Sequence, residues 1–209
     1  MRHIGIYGGT FNPIHLGHLL AAQAVAEAVP LDRVLFLPCS VSPFKRGASD
    51  LASGSDRLEM VRLSTEGYPL FEACPLDVER GGVSYALDTV LALRRLYPDD
   101  RLSFIVGMDA LRELSHWYRV EDMLALCDVI TVERPGSDRP VKPGELAFPE
   151  AVEQRLLANV VRGRHCEISS SEIRRRIAQG KSIRYLVSPA VETYIRSCGL
   201  YADQKEISY

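Results

Sequence analysis

The sequence lacks the features that mark membrane, secreted and zinc-stabilised proteins. No two of its five cysteines form a Cys-x-x-Cys pair, which argues against a structural zinc site or a dithiol motif. No apolar run reaches the roughly 18 residues that a membrane-spanning helix needs, and the start MRHIGIYGG has no signal-peptide core. We therefore expect free thiols, a cytoplasmic location and no membrane partner.

An excess of charge of either sign is also absent. The 25 lysines and arginines nearly balance the 27 aspartates and glutamates, giving a formal net charge of −2. Binding duplex nucleic acid requires many uncompensated cations facing the phosphates, so no nucleic-acid partner is expected. With 209 residues, 46% of them hydrophobic, the chain suits a single domain over residues 1–209. Either a monomer or a homo-oligomer is compatible with this composition.

Short apolar blocks alternate with longer segments of helical spacing, a pattern typical of α/β proteins. Blocks with little polar interruption, as expected of strands buried on both faces, lie at residues 3 to 7, 34 to 37, 103 to 106 and 129 to 132. Helices are predicted at residues 16 to 29, 55 to 66, 84 to 97 and 119 to 127. The pattern predicts an α/β fold with an open parallel sheet and helices on both faces.

Several helix ends carry recognisable signals. Asp56 and Glu59 are spaced as a capping box, and Gly67 follows at a suitable stop. Beyond a proline-rich loop over residues 133 to 149, helices are predicted at 169 to 179 and 188 to 198. They open at Ser169 and Ser188 and would form a small C-terminal helical extension, about residues 164 to 209.

The first strand runs into the glycine-rich turn GGTFNPIHLGH, residues 8 to 18. Gly8 and Gly9 let a ligand approach the backbone, and the N-terminus of the following helix offers N–H groups to an anion. His15 and His18 share one side of this turn if it is helical. A turn with two solvated histidines and a pair of zinc ligands are alternatives, but neither explains the glycines. The glycine spacing fits neither GxGxxG nor a P-loop, so the turn predicts a different phosphate site.

A second candidate phosphate site is the segment ISSSEIRRR, residues 168 to 176. Serine hydroxyls and backbone N–H groups at a helix start, with Arg174 one turn further on, can bind a triphosphate. The alternative is an ordinary N-cap followed by a solvated basic face. Gly180-Lys181-Ser182 spells the end of a P-loop but lacks the required earlier glycine, so we treat it as a chance match.

Two further candidates follow predicted strands. Lys45 and Arg46 lie in the loop after the second strand, and ligands of open α/β sheets bind at the carboxyl ends of strands. Gly107 and Asp109 end the third strand. Downstream, the only tryptophan, Trp117, stands among polar or amphipathic neighbours. A lone tryptophan is more often core, but these neighbours favour an exposed ring that stacks on an aromatic ligand.

The segments GGTFNPIHLGH and ISSSEIR together resemble the two signatures of the nucleotidyltransferase superfamily, a Thr/Ser-x-x-x-His-x-Gly-His turn and an Ile-Ser-Ser-x-x-x-Arg helix start. Within it, the chain is similar to the bacterial nicotinate-nucleotide adenylyltransferases. The matching features, which extend the resemblance nearly end to end, are Gly107-x-Asp109, Trp117-Tyr118, Arg134-Pro135-Gly136 and the closing residues 182 to 201.

The resemblance implies a Rossmann-like fold and a transferase of NAD biosynthesis. Its substrates would be ATP and nicotinate mononucleotide, and its products nicotinic acid adenine dinucleotide and pyrophosphate. Mg²⁺ would arrive on the ATP phosphates, with no metal ligand from protein side chains. The attacking phosphate has a second pKa of about 6, so it is already a dianion near neutrality and needs no activating base.

The resemblance also assigns site residues. The catalytic contacts with the phosphates would come from His15, His18 and Arg174. The remaining ATP contacts would come from Gly8, Gly9, Thr10, Phe11, Gly107, Asp109, Ile168, Ser169 and Ser170. The mononucleotide would meet Lys45, Tyr85, Ala86, Trp117, Tyr118 and Arg134, with Trp117 stacked on the pyridine ring and the Tyr118 backbone N–H on its carboxylate.

The sequence departs from the family pattern at several positions. Asn12 replaces an aspartate and Phe44 a histidine, while Cys39, Ser40 and Ala86 stand where asparagine, asparagine and threonine are common. The last three remove side-chain donors for the acid, which leaves nicotinamide mononucleotide open as the preferred acceptor. A sibling nucleotidyltransferase, usually shorter and without the Trp117-Tyr118 pair, and a nucleotide-sensing module without turnover are the rival functions.

Overall fold

A computed structural model describes residues 1–43, 51–134, 136, 139 and 141–202. In this part of the chain six strands form one sheet in the order β3-β2-β1-β4-β5-β6, and every neighbouring pair is parallel. The strands are β1 His3–Gly9, β2 Arg33–Pro38, β3 Phe71–Ala73, β4 Arg101–Gly107, β5 Asp128–Glu133 and β6 Val160–Arg162. This strand order is that of a doubly wound Rossmann-like sheet, which confirms the predicted fold class.

The helices include all six that the sequence predicts, each within about two residues of its expected ends. They are α1 Leu16–Ala28, α2 Gly54–Thr65, α3 Leu76–Arg80, α4 Ala86–Leu96, α5 Met108–Arg112, α6 Val120–Leu126, α7 Glu150–Ala158, α8 Ser170–Ala178 and α9 Pro189–Ser197, with a short 3₁₀ helix at Leu114–His116. The strands and helices that the sequence does not predict are β3, β6, α3, α5 and α7. Four of these five have only three to five residues, too few to show a period.

Helices cover both faces of the sheet because side chains alternate along each strand. On β2, Val34 and Phe36 belong to a buried cluster with apolar residues of α1, α2, α8 and α9. Leu35 and Leu37 face the opposite way and pack in a second cluster with residues of α4, α5 and α6. The C-terminal helices α8 and α9 therefore share a core with the sheet.

One helix start differs from the prediction. The side chain of Ser53 accepts a hydrogen bond from the Asp56 N–H at 3.1 Å, so α2 begins at Gly54 and Asp56 is its third residue. The expected capping box of Asp56 with Glu59 is wrong, because the serine three residues before Asp56 supplies the cap. The caps predicted at Ser169 and Ser188 are confirmed, each accepting from the backbone N–H three residues on.

The structure bears on two expectations, which concern the cysteines and membrane-spanning helices. All five cysteines are free, as predicted. Within the described residues, no helix combines the length and apolar character needed to cross a membrane.

The strand order also determines where a ligand would bind. Gly9 at the end of β1 lies in register with Pro38 of β2, and Gly107 of β4 lies in register with Val132 of β5. The chain leaves β1 towards β2 and β3, then returns to β4 on the other side of β1. A crevice therefore opens at the carboxyl ends of β1 and β4, the switch point at which open α/β sheets bind ligands.

Candidate active site

The turn after β1 is tightly packed around Phe11. This residue is buried and has a φ of 47°, a left-handed conformation that side chains rarely adopt. Its ring stands edge-on to His18 with the centroids 5.0 Å apart, and it covers Gly9, where a Cβ would lie 3.0 Å from the ring. Glycine at position 9 thus lets the turn fold back onto the end of the strand.

His15 and His18 lie on one side of the turn, as the sequence predicts. His15 is the N-cap of α1, and the two imidazole rings stack with their centroids 3.7 Å apart. The Nδ1 of His18 accepts a hydrogen bond from the His15 backbone N–H at 3.2 Å. A neutral His18 ring therefore carries its proton on Nε2, which makes that atom a donor. A Cβ at Gly17 would approach the His15 ring to 3.0 Å, so glycine leaves room for the pair.

His15 is a buried histidine held in its neutral form. Burial first, and the charge of Arg134 second, lower its pKa to about 4. Its Nδ1 has no hydrogen-bond partner in the described structure. A buried polar atom left unpaired costs free energy.

The two segments predicted to bind phosphate meet at this turn. Ser170 Oγ donates to the carbonyl oxygen of Pro13 at 2.9 Å, and Arg174 Nη1 donates to that of Asn12 at 2.8 Å. These bonds bring the start of α8 against the entry to α1 across more than 150 positions of sequence. The structure therefore joins the two motifs at one edge of the sheet.

One backbone group at the start of α1 is already used within the protein. The N–H of Leu16 donates to the carbonyl oxygen of Leu186 at 2.9 Å. The helix N-terminus is thus less open to an anion than the sequence alone indicates. This contact also fixes the turn to the segment between α8 and α9.

Asn12 connects the turn to two distant segments. Its Oδ1 accepts hydrogen bonds from the Ala52 N–H at 3.0 Å and from the Tyr201 hydroxyl at 2.7 Å. An aspartate, which the family pattern has here, would offer the same acceptor. The departure at position 12 therefore keeps the oxygen that these donors require.

Arg57 holds together the loops around the site, and the sequence analysis did not identify it. It is 1% exposed and donates to the carbonyl oxygens of Thr10, Cys39, Ser40 and Ala52 at 2.6 to 3.0 Å. It thereby ties the turn after β1 to the loop after β2. Its position three residues before Met60 and four before Val61, on the buried side of α2, is the signal that could have identified it.

We expect Arg57→Met to destabilise the protein by about 3 kcal/mol or more, because several buried carbonyl groups would lose their donor. Denaturant unfolding measures this change. Arg62→Met is the matched control, since Arg62 lies on the same helix with its side chain 71% exposed. Its effect should stay within about 0.5 kcal/mol, and equal losses in the two variants would contradict the structural role of Arg57.

A cavity of about 510 Å³ opens beside the ends of β1 and β4. Four of the residues assigned to the mononucleotide line it, namely Tyr85, Ala86, Trp117 and Tyr118, together with Gly8, Gly9 and Thr10 from the turn. The half-buried Trp117 ring stands edge-on to Phe104, with the centroids 5.8 Å apart. The centroids of the Tyr85 and Tyr118 rings lie 4.7 Å apart. The cavity is thus an aromatic-walled pocket that adjoins the glycine-rich turn after β1.

Other predicted site residues lie elsewhere. Arg134 is near Asp109, with 3.7 Å between Nη2 and Oδ2, and is not among the described residues that line the cavity. Asp109 belongs to the first turn of α5 instead of ending the strand, and its carboxylate is 85% exposed. Ile168 packs partly buried against the α1 side of the core. Lys45, Arg46 and Phe44 lie outside the described residues.

Comparison with known proteins relates this arrangement to a family. The family model described as cytidylyltransferase-like matches residues 6–176. A Shouchella clausii protein named "Probable nicotinate-nucleotide adenylyltransferase" is 41% identical over 206 residues, which cover 99% of this chain and all of the relative. The chain belongs to the nicotinate-nucleotide adenylyltransferase family.

Another member of this family agrees with that assignment, and a solved structure agrees with the fold. A Pelobacter propionicus protein of the same name is 42% identical over 96% of this chain and 98% of its own length. The nicotinic acid mononucleotide adenylyltransferase of Plasmodium falciparum, solved in complex with NaAD, covers 96% of this chain with a TM-score of 0.71. At 18% identity this last likeness supports the fold alone.

Proposed function

We propose that this member of the nicotinate-nucleotide adenylyltransferase family transfers the adenylyl group of ATP to nicotinate mononucleotide in NAD biosynthesis. The observation that carries the proposal is the joining of two phosphate-binding segments beside an aromatic-walled cavity. Arg174 and Ser170 bond to the turn that holds the stacked histidines, and the same turn lines the cavity of Trp117. The relatives, which match over their whole length, have names that specify this activity.

In this reaction a phosphate oxygen of the mononucleotide attacks the α-phosphorus of ATP. A new P–O bond forms, the bond from the α-phosphorus to the bridging oxygen breaks, and pyrophosphate leaves with that electron pair. The nucleophile is already ionised near neutral pH, so the main difficulty is to bring one anion against another. Positioning and charge neutralisation therefore supply most of the catalysis, and no covalent enzyme intermediate is needed.

The proposed roles of the residues follow from their positions. Gly8, Gly9, Thr10 and Phe11 shape the turn that receives ATP, with Gly107, Asp109, Ile168, Ser169 and Ser170 as further contacts. His18 donates from Nε2 to a phosphate oxygen, and the neutral His15 ring is stacked beside it. Because burial holds the pKa of His15 near 4, cationic charge at the phosphates comes mainly from Arg174. Arg134, which lies near Asp109, is proposed to contact the mononucleotide.

The proposed cofactor is Mg²⁺ that arrives with ATP. The described residues contain no group of three or more His, Cys, Asp or Glu side chains that could hold a metal ion. This fits Mg²⁺, which binds readily to substrate phosphates with few protein ligands. The ion would neutralise charge on the phosphates.

Trp117→Ala should raise the KM for nicotinate mononucleotide by about fivefold to tenfold, because aromatic stacking contributes roughly 0.5–1.5 kcal/mol beyond area burial. The KM for ATP should change by less than about twofold, since the phosphate turn does not depend on this ring. Steady-state kinetics with each substrate varied in turn measure both values. Trp117→Phe, which keeps an aromatic ring, should recover most of the loss, whereas equal changes in the two KM values would contradict stacking on the acceptor.

Pyrophosphate release tests the proposed function and its rivals together. The purified protein is incubated with ATP and Mg²⁺, and nicotinate mononucleotide, nicotinamide mononucleotide or neither is added. We expect rapid release with the acid, slower release with the amide and almost none with ATP alone. Faster release with the amide would reassign the acceptor, and no release with either would contradict the enzyme assignment.

We also propose that residues 1–209 act as one domain in the cytoplasm. Buried residues of the C-terminal helices, such as Ile173, Val191 and Ile195, share a cluster with Val34 of the sheet, which supports a single unit. The five free cysteines suit a reducing compartment.

A further inference from the structure

We propose that the ion pair between Arg80 and Asp77 allows the acceptor cavity to take an acid, because Arg80 cancels the carboxylate charge on the cavity wall. This inference rests on the proposed function, because it concerns the choice between nicotinate and nicotinamide mononucleotide. It assigns the tolerance of an acid to a charge balance within the protein, in a cavity where Cys39 and Ala86 supply few donors.

Asp77 is a buried acid in the wall of the cavity. It lies on α3, is 5% exposed and lines the same cavity as Tyr85, Ala86 and Trp117. Among the described residues that line this cavity, Asp77 is the only carboxylate, and none is a lysine or arginine. An uncompensated charge on Asp77 would therefore be the nearest carboxylate charge to an acceptor ring bound in this cavity.

The neighbours of Asp77 compensate its charge. Arg80 Nη2 lies 2.9 Å from Oδ1, and the Thr89 hydroxyl is 2.8 Å and 3.0 Å from the two carboxylate oxygens. Ser84 also bonds to this carboxylate, and its hydroxyl accepts the Ser40 N–H at 2.9 Å. Burial raises the pKa of Asp77, whereas Thr89 and Arg80 oppose that shift. Together, the Asp77 carboxylate and the Arg80 guanidinium carry no net charge at the wall of the cavity.

Charge on this wall has opposite consequences for the two acceptors. The pyridine carboxylate of nicotinate mononucleotide is repelled by a bare Asp77, whereas the neutral amide of nicotinamide mononucleotide is not. An Asp77 without Arg80 would therefore penalise the acid. Conversely, Arg80 without Asp77 would place an uncompensated cation behind the wall and favour the acid.

A double-mutant cycle that removes the two charges separately and together tests this inference. The ratio of kcat/KM for nicotinate over nicotinamide mononucleotide is measured at pH 8 for the wild type, Arg80→Gln, Asp77→Asn and the double variant. We expect the ratio to fall about tenfold in Arg80→Gln, as for one uncompensated charge nearby, and to rise in Asp77→Asn. The double variant should return to within about threefold of the wild type, because both charges are then absent.

Two controls separate charge from damage to the fold. Arg95→Gln makes the same substitution at an exposed position of α4 and should leave the ratio unchanged. Circular dichroism and the KM for ATP should stay close to the wild-type values in every variant. An unchanged ratio in Arg80→Gln, or an equal fall in the single and the double variant, would overturn the proposal.

Binding provides a readout that does not depend on turnover. Trp117 is the only tryptophan and lines the cavity, so its fluorescence reports acceptor binding directly. The ratio of the dissociation constants of the two mononucleotides should follow the same order across the four proteins. If binding follows this order without any pyrophosphate release, the charge proposal stands and the proposed function fails. If pyrophosphate is released but the ratio of the dissociation constants is the same in all four proteins, the proposed function stands and the charge proposal fails.

Discussion

Replacing His18 with alanine is expected to lower kcat by about 10² or more while the fold stays intact, the usual effect of removing one preorganised donor from developing charge. The donor is preorganised because the His15 N–H occupies Nδ1, which leaves the ring proton on Nε2. The ring also contacts Phe11 edge-on, so its orientation is fixed before substrate binds. Steady-state rates with matched circular dichroism measure the effect.

His3→Ala is the control for the loss of an imidazole. His3 begins β1 at the opposite edge of the sheet, where its Nε2 lies 2.8 Å from Ser103 Oγ. That variant should lose some stability but keep kcat within about threefold of the wild type. Turnover near the wild-type value in His18→Ala would remove the histidine from the catalytic machinery.

Arg174→Ala should reduce kcat/KM for ATP by about 10², whereas Arg176→Ala should change it by less than about twofold. The two residues differ because successive positions on a helix turn by about 100°. Arg174 Nη1 donates to Asn12 in the phosphate turn, while Arg176 Nε donates to the carbonyl oxygen of Ser182 on the exposed side.

The arginine pair is its own matched control, since both substitutions remove one guanidinium from α8. Initial rates with ATP varied at saturating mononucleotide give the two values. Equal reductions would mean that the general basic character of the helix matters and that the contact with the turn does not. A silent Arg174→Ala would contradict the proposed role of this helix start.

The sequence was sufficient to predict the features that depend on local signals. The buried strands, the glycine-rich turn and the serine cap of α8 all have short patterns that fix their structure. The stacking of His15 on His18 follows from their spacing at the start of a helix. These elements account for the four longer strands of the sheet and for the turn and helix start that meet at the candidate site.

What could not be predicted depends on contacts between distant segments. The spacing of α2 places Arg57 on its buried side, but the bonds from Arg57 to Thr10, Cys39 and Ser40 depend on how α2 packs beneath two loops, which no local pattern specifies. The bond from Tyr201 to Asn12 likewise joins residues 189 positions apart. Asp77 resembles an ordinary surface acid in a five-residue helix, and only the tertiary structure places it on a cavity wall.

We expect one cleft to transfer the adenylyl group directly from ATP to the mononucleotide. ATP that is radiolabelled at its α-phosphate, incubated with and without nicotinate mononucleotide, tests this transfer. We expect one labelled dinucleotide for each pyrophosphate released and, in a parallel reaction without the mononucleotide, no incorporation of labelled pyrophosphate into unlabelled ATP. Exchange without the acceptor, or pyrophosphate release without a labelled dinucleotide, would contradict it.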